Sequence, residues 1–299
     1  MTATLPRPAE LSSDTLRGGR RPMREVVFRL ALQASLLIAV SFLFALLGYV
    51  VYTAAPRLDM DLLRNMPSTL RPETAGAQSA ITGTIWVISL TALFTVPIGI
   101  MSAIYLEEYA DQTKWWNRVI EINIMNLAAV PSIVYGILGL GVIARGLELG
   151  LTVLAAAVTL SLLVLPVVII STREALRAVP NSIRLGSLAL GATKWQTIWK
   201  QLLPAAVPGT ATGSILALSR AIGEAAPLLL LGALAYISFN PDGVLSQFTV
   251  LPVQIYDFIK QSREEFVPLA SAAIVVLLVI LLAMNSIAIF LRNKFQRRW

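Results

Sequence analysis

Six stretches of predominantly apolar residues dominate this chain, and their length constrains it more than any other feature. About 20 apolar residues in a helix reach across the hydrocarbon core of a bilayer. Residues 26–52, 81–105, 120–144, 151–170, 208–237 and 268–292 each meet that test. Only 14% of the residues are charged, against roughly 25% in a soluble domain. The reading is an all-α integral membrane protein with six spans. The first stretch is not read as a cleaved leader, because its apolar run is too long and no small-residue cleavage site follows it.

The Lys and Arg residues orient the spans. With the N-terminus inside, the inner side holds Arg7, Arg17, Arg20, Arg21, Arg24, Lys114, Arg118, Arg173, Arg177, Arg184, Lys194, Lys200, Arg292, Lys294, Arg297 and Arg298. That is sixteen, against six outside: Arg57, Arg64, Arg71, Arg145, Lys260 and Arg263. Both termini are therefore expected in the cytoplasm, which an even number of spans also requires. The net charge of +7 reads as topology. It forms no basic stripe of the kind nucleic acid selects, so membrane lipid is expected as a partner and nucleic acid is not. The chain has no Cys and no His. That removes thiolate zinc sites, disulfides, a Cys nucleophile and the commonest general base. No metal site and no catalytic residue are expected.

The organisation divides as follows. Residues 1–25 form an Arg- and Pro-rich tail without periodicity, read as disordered. Residues 26–80 hold the first span and a polar outer loop. Residues 81–292 form a core, with a long cytoplasmic loop at 171–204, and 293–299 form a basic tail. The outer loop near 238–267 carries Tyr256, Phe258 and Phe266 among charges, and is read as lying along the interface.

The loop 171–204 is the most informative segment outside the spans. Pro180, Asn181 and Ser182 end one helix and cap the next. Gly191 interrupts the second helix, and Pro204 marks return to the membrane. Trp195, Ile198, Trp199 and Leu202 fall at i, i+3, i+4 and i+7, which predicts one amphipathic face. Two readings stand: a loop resting on lipid headgroups with Trp anchors, or a short helix docking on a cytoplasmic partner. Gly186, Gly191, Ala192 and Thr193 nearly match a phosphate-binding loop. Ala192 stands where that motif requires Lys, and no strand precedes it, so the chain itself is not expected to bind ATP.

Arg220 and Glu224 lie in the fifth apolar stretch, four residues apart and on one face. A charge at mid-bilayer costs roughly 3 kcal/mol on insertion scales, so such residues are functional by default. The alternative is a pair that only stabilises the bundle. Arg keeps its charge at any relevant pH, and its planar fork of donors fits an oxyanion. A neighbouring carboxylate competes for the guanidinium and favours release, as conduction requires. Ser219, with Thr210, Thr212 and Ser214, adds neutral donors. Ser219 itself stands about 100° round the helix from Arg220.

Pro and Gly recur within the spans. Pro131, Ser132 and Pro227 are the hinge candidates, because each lies beside polar residues. Gly209-x-x-x-Gly213 reads as a close helix contact.

Several motifs carry a family resemblance. Leu185-Gly-Ser-Leu-Ala-Leu-Gly191-Ala, with Ile198 and Leu203-Pro204, resembles the coupling loop of ABC-importer permeases. It departs from the pattern where Leu185 replaces an acidic residue and Gly186 replaces Ala. Ala-Ile-Tyr-Leu-Glu-Glu-Tyr-Ala at 103–110, Val-Pro-Ser-Ile-Val-Tyr-Gly at 130–136, Arg-Ala-Ile-Gly-Glu-Ala-Ala-Pro-Leu-Leu at 220–229 and Pro-Val-Gln-Ile-Tyr-Asp-Phe at 252–258 resemble the A-type permease subunits of phosphate-specific ABC importers.

The resemblance implies the type I importer permease fold in a prokaryotic inner membrane. It implies a pore shared with a homologous C-type permease. Two copies of a cytoplasmic ATPase using ATP and Mg would complete the machine, with an extracytoplasmic phosphate-binding protein on the outer face. It implies a substrate path at Arg220, Glu224 and Ser219. It implies coupling through Arg184, Gly186, Ser187, Leu190, Gly191, Ala192, Thr193 and Trp195. Two rival classes remain, a secondary transporter working without ATP and a non-transporting scaffold.

Overall fold

The computed structural model describes residues 23–111, 113–231, 233 and 237–295. The expected disorder of the N-terminal tail lies outside these, apart from its last three residues. Among the described residues every regular element is helical. Five helical segments are long and apolar enough to cross a membrane, and a bent pair supplies a sixth.

The chain separates into two compact units, residues 1–49 and 50–299. The first unit is described by most of α1 (Met23–Ala54). Its side chains are exposed around the whole circumference, including Leu30, Leu37 and Phe44. A helix that is apolar on every side is stable in lipid and not in water.

The second unit is built around α6 (Val153–Arg177). The helix opens on Thr152, whose hydroxyl accepts from the Ala155 amide at 3.4 Å. Its Ala155, Ala156 and Ala157 are fully buried, and small residues let helices approach closely where no water drives association. On one side lies α3 (Gln78–Ile104). On the other lies α9 (Leu203–Gly223). Gly209 and Gly213 of α9 abut Ala175 and Ser171 of α6, so a Cβ at Gly209 would fall 2.6 Å from the Ala175 Cβ. The close contact read from the Gly209–Gly213 spacing is there. The outer end closes with α2 (Met60–Arg64), α11 (Leu251–Lys260) and the start of α12 (Phe266–Phe295). Phe258 and Phe266 are buried there with Leu62 and Leu269, their rings 6.0 Å apart. Those two phenylalanines are core residues, while Tyr256 stays exposed. The interfacial reading fails for them because both turn into this apolar core, Phe258 from the amphipathic α11 and Phe266 from the start of α12.

Two spans expected to be continuous are broken. The third is α4 (Trp115–Ala129) and α5 (Ser132–Leu138), the latter extended by a π-helical stretch Gly139–Gly146. The arms meet at 104°. Pro131 lacks an N–H and pushes Val130 into an extended conformation, with ψ 132°. The fifth ends at Gly223. Glu224 is extended, with ψ 106°, and a separate short helix α10 (Ala226–Leu231) follows. That span also starts earlier than residue 208: helical backbone runs from Lys194 to Gly223. Gly and Pro punctuate each break, but apolarity runs straight across it and hides it from a hydropathy reading.

Candidate functional site

The two breaks face one another. α5 packs on α10 so tightly that a Cβ at Gly136 would stand 2.7 Å from the Pro227 Cα. Tyr135 donates its phenolic hydrogen to the Leu127 carbonyl at 2.9 Å, which also accepts from the Val130 amide at 3.2 Å, while Pro131, in the i+4 position, has no amide to offer it. Pro131, Ser132 and Pro227 therefore sit at actual interruptions of the helices: Pro131 caps α5, Ser132 begins it, and Pro227 is buried in the first turn of α10.

Arg220 occupies the last turn of α9, where a cation meets the negative end of the helix dipole. Its Nε lies 3.3 Å from Glu224 Oε1. Glu224 is the residue that ends the helix, so the pair sits at a helix terminus and not within a continuous span. Arg220 is 48% exposed and Glu224 19%. The guanidinium is thus presented at the open surface of the chain, with the carboxylate more deeply seated behind it. Ser219 is turned elsewhere. Its hydroxyl lies 2.7 Å from both the Ile215 carbonyl and Asn285 Oδ1 of α12. Thr212 accepts from Arg292 at 3.0 Å, and Thr210 and Ser214 are buried. The structure brings together Arg220 and Glu224 and separates the neutral donors from them.

The cytoplasmic loop folds as α7 (Asn181–Ala189), a turn, and α8 (Lys194–Thr197). Pro180 holds the cap position of α7 and makes no side-chain bond, so the capping expected of Asn181 and Ser182 is not how this helix begins. Gly191 adopts φ +82°, which an L side chain resists. Thr193 opens α8 with a capping box: its hydroxyl accepts from the Gln196 amide at 3.2 Å, and Gln196 Oε1 accepts from the Thr193 amide at 2.9 Å. Ser187 and Thr197 join the two helices, hydroxyl to hydroxyl, at 2.9 Å. Gly186 lies inside α7, a helix and not a phosphate-cradling loop.

The expected single face of Trp195, Ile198, Trp199 and Leu202 splits in two. Ile198 and Leu202 are fully buried, whereas Trp195 and Trp199 are exposed, their rings 5.2 Å apart and tilted by 55°. Residues 198–202 form a π turn, which shifts the side-chain phase from the 3.6-residue period. Leu185, Leu188 and Leu190 of the same loop are also exposed, Leu190 to 90%. Ala192 is partly covered.

A charged network joins Arg184, assigned to coupling from the sequence, to acids and arginines that were given no site role. The end of α3 continues as a π turn, Tyr105–Tyr109. Glu107 accepts from Arg177 Nε at 2.9 Å and Arg173 Nε at 3.4 Å. Arg173 also reaches Glu121 of α4 at 2.9 Å. Glu108 accepts from Arg184 of α7 at 2.9 Å, and Arg184 donates further to the Leu176 and Val179 carbonyls and to Asn181 Oδ1. Arg173 and Glu107 are nearly buried, and such charges are tolerable only when paired and hydrogen-bonded. Beyond the π turn, Thr113 donates its amide and hydroxyl to Asp111 Oδ1. Those bonds hold the Asp111 carboxyl below its ordinary value. The signal available beforehand was two adjacent acids ending the second span opposite Arg173, Arg177 and Arg184. Among the described residues no metal-holding cluster of acids forms.

Residues 95–299 match the family model described as a binding-protein-dependent transport system inner membrane component. The chain is 33% identical over 271 residues to the phosphate transport system permease protein PstA of Yersinia pestis, covering 89% of this chain and 90% of that one. It is 34% identical over 224 residues to the phosphate transport system permease protein PstA 1 of Mycobacterium tuberculosis (strain CDC 1551 / Oshkosh), covering 75% and 72%. Among solved structures it resembles a bacterial alginate ABC transporter in complex with an alginate-bound periplasmic protein. That likeness has TM-score 0.61 at 16% identity, over 90% of this chain and 96% of that one. An inward-facing methionine ABC transporter gives TM-score 0.58 at 18% identity, over 73% and 97%. The two structural likenesses speak for the fold alone.

Proposed function

The chain belongs to the family of inner membrane components of binding-protein-dependent transport systems, and from that premise we propose that it is the permease subunit of an ATP-driven importer of inorganic phosphate. The observation that carries the phosphate reading is the identity of 33% through 271 residues with a phosphate transport permease. The chemistry of the α9 terminus supports it. Arg220 offers a half-exposed guanidinium whose charge is fixed and whose donors match a tetrahedral oxyanion. Glu224, 3.3 Å away, is the competing acceptor that lets the anion leave.

In this reading a homologous C-type permease supplies the other half of the pore, in a prokaryotic inner membrane. A phosphate-binding protein delivers substrate at the outer face. Two copies of a separate ATPase, carrying ATP and Mg, dock on the exposed Leu185, Leu188, Leu190, Trp195 and Trp199 of the cytoplasmic loop. A helix laid into a hydrophobic groove is a recurrent recognition mode. Pro131, Ser132 and Pro227 let α5 and α10 shift together as the path changes the side to which it opens.

The test is transport by right-side-out vesicles with ATP inside, assembled with and without the partner permease and the ATPase. Phosphate uptake that needs every subunit and exceeds sulfate uptake is the expected result. Uptake by the isolated chain, or none by the complete set, overturns the reading.

A further inference from the structure

One five-residue turn at the end of α3 touches three other helices. Within Tyr105–Tyr109, Glu107 takes Arg173 and Arg177 of α6. Glu108 takes Arg184 of α7. The Tyr109 ring lies 5.0 Å from Lys194 Nζ of α8, within cation–π range. Three successive side chains thus hold three different helices. The turn is π-helical, a local geometry that recurs at functional sites. Only α3 runs unbroken from this turn through the unit to the outer end, and α6 runs beside it. The loop's apolar anchors are Ile183 of α7 and Ile198 and Leu202 just beyond α8, which pack with Ile104 of α3 and Leu176 of α6, while Leu185, Leu188 and Leu190 are exposed.

Arg184 is central to this arrangement. Its guanidinium makes bonds to one carboxylate, two carbonyls and one amide oxygen, which leaves it little capacity to contact anything outside the chain. Removing Glu108 would leave the guanidinium bound to neutral acceptors only. Those lie at the end of α6 and the start of α7, so the loop would stay folded while its charged link to α3 was lost.

We propose that the π turn Tyr105–Tyr109 is the joint that makes α7 and α8 move with α3 and α6, with Glu108 and Arg184 as its positioning residues. This rests on the reading of the chain as an ATP-driven permease. A force applied to the loop then reaches α3 through this charged pair in addition to the apolar contacts around Ile104, without Arg184 meeting the ATPase.

The absence of cysteine makes the test clean. Met101→Cys on α3 and Ser182→Cys on α7, both exposed, are spin-labelled in the full complex. The inter-label distance is measured without nucleotide and in the vanadate-trapped state. The expected result is one narrow distribution in both states, broadened by Glu108→Gln. In unlabelled complexes Glu108→Gln should keep ATP hydrolysis and lower phosphate moved per ATP by at least about fivefold, the lower end of common coupling effects. A Glu108→Cys, Arg184→Cys pair bridged by a cleavable bis-thiosulfonate should restore uptake and lose it on reduction. A Glu108→Gln complex with wild-type distances and stoichiometry overturns the proposal, and so does a bridge that restores nothing. If the wild-type complex moves no phosphate, the functional reading fails, while the distance measurement still decides the joint.

Discussion

Gly136→Ala tests the meeting of the two broken helices directly. The added Cβ would lie 2.7 Å from Pro227 Cα, 3.0 Å from Pro227 O and 3.1 Å from Leu230 Cβ. Two of these neighbours are backbone atoms of a proline, which cannot rotate aside. Overpacking of this kind costs about 1–3 kcal/mol. Alanine returns about 0.5–1 kcal/mol as a better helix former than glycine. The net expectation is a loss of about 0–2.5 kcal/mol, centred on about 1 kcal/mol, on the same two principles. Gly141→Ala is the control, because nothing lies within 4 Å of its added Cβ; it should be neutral or slightly stabilising. Thermal unfolding of the detergent-solubilised protein, followed by tryptophan fluorescence at one scan rate, reads the difference. Each kcal/mol corresponds to a midpoint shift of about 2–4 °C at this size. A Gly136→Ala midpoint equal to that of Gly141→Ala would refute the close α5–α10 contact.

Arg220→Ala should abolish phosphate uptake while complex assembly and ATP binding survive; normal uptake would remove Arg220 from the path. Thr193→Ala loses the capping box of α8, worth about 0.5–2 kcal/mol, and should speed amide exchange across 193–197 without altering exchange in α6. Gly191→Ala has room for the side chain but a φ of +82°, so it should destabilise the loop by about 1–2 kcal/mol, measured by the same exchange experiment. Ser219→Ala breaks the contact with Asn285 and, because Ser219 faces α12, should leave phosphate uptake within about twofold while lowering the unfolding midpoint by the 2–4 °C that about 1 kcal/mol represents.

Much of the architecture was legible from residue type alone. Helical membrane spans follow from apolar length, because backbone amides in lipid must be satisfied within the helix. The breaks were half legible. Pro131 and Pro227 marked where helices were weak, but the 104° bend and the separation of α10 also needed packing partners to hold the opened backbone. The stripe of Trp195, Ile198, Trp199 and Leu202 was misread because a π turn changes the period, and nothing in those residue types announces it.

What the sequence determined by itself was the solvent of each segment. Apolar length and the expense of Arg220 and Glu224 in lipid marked the membrane spans and the charges to watch, and the sixteen basic residues assigned to the inner side set the expected topology. What only tertiary structure decided was which charges meet. Glu107 and Glu108 lie 66 to 76 residues from Arg173, Arg177 and Arg184, so no local spacing rule pairs them. Ser219 and Arg220 are neighbours in the chain yet face different partners, because the helix turns them about 100° apart and α12 covers only one side. Local physics sets what a side chain needs; the packing of distant helices sets who provides it.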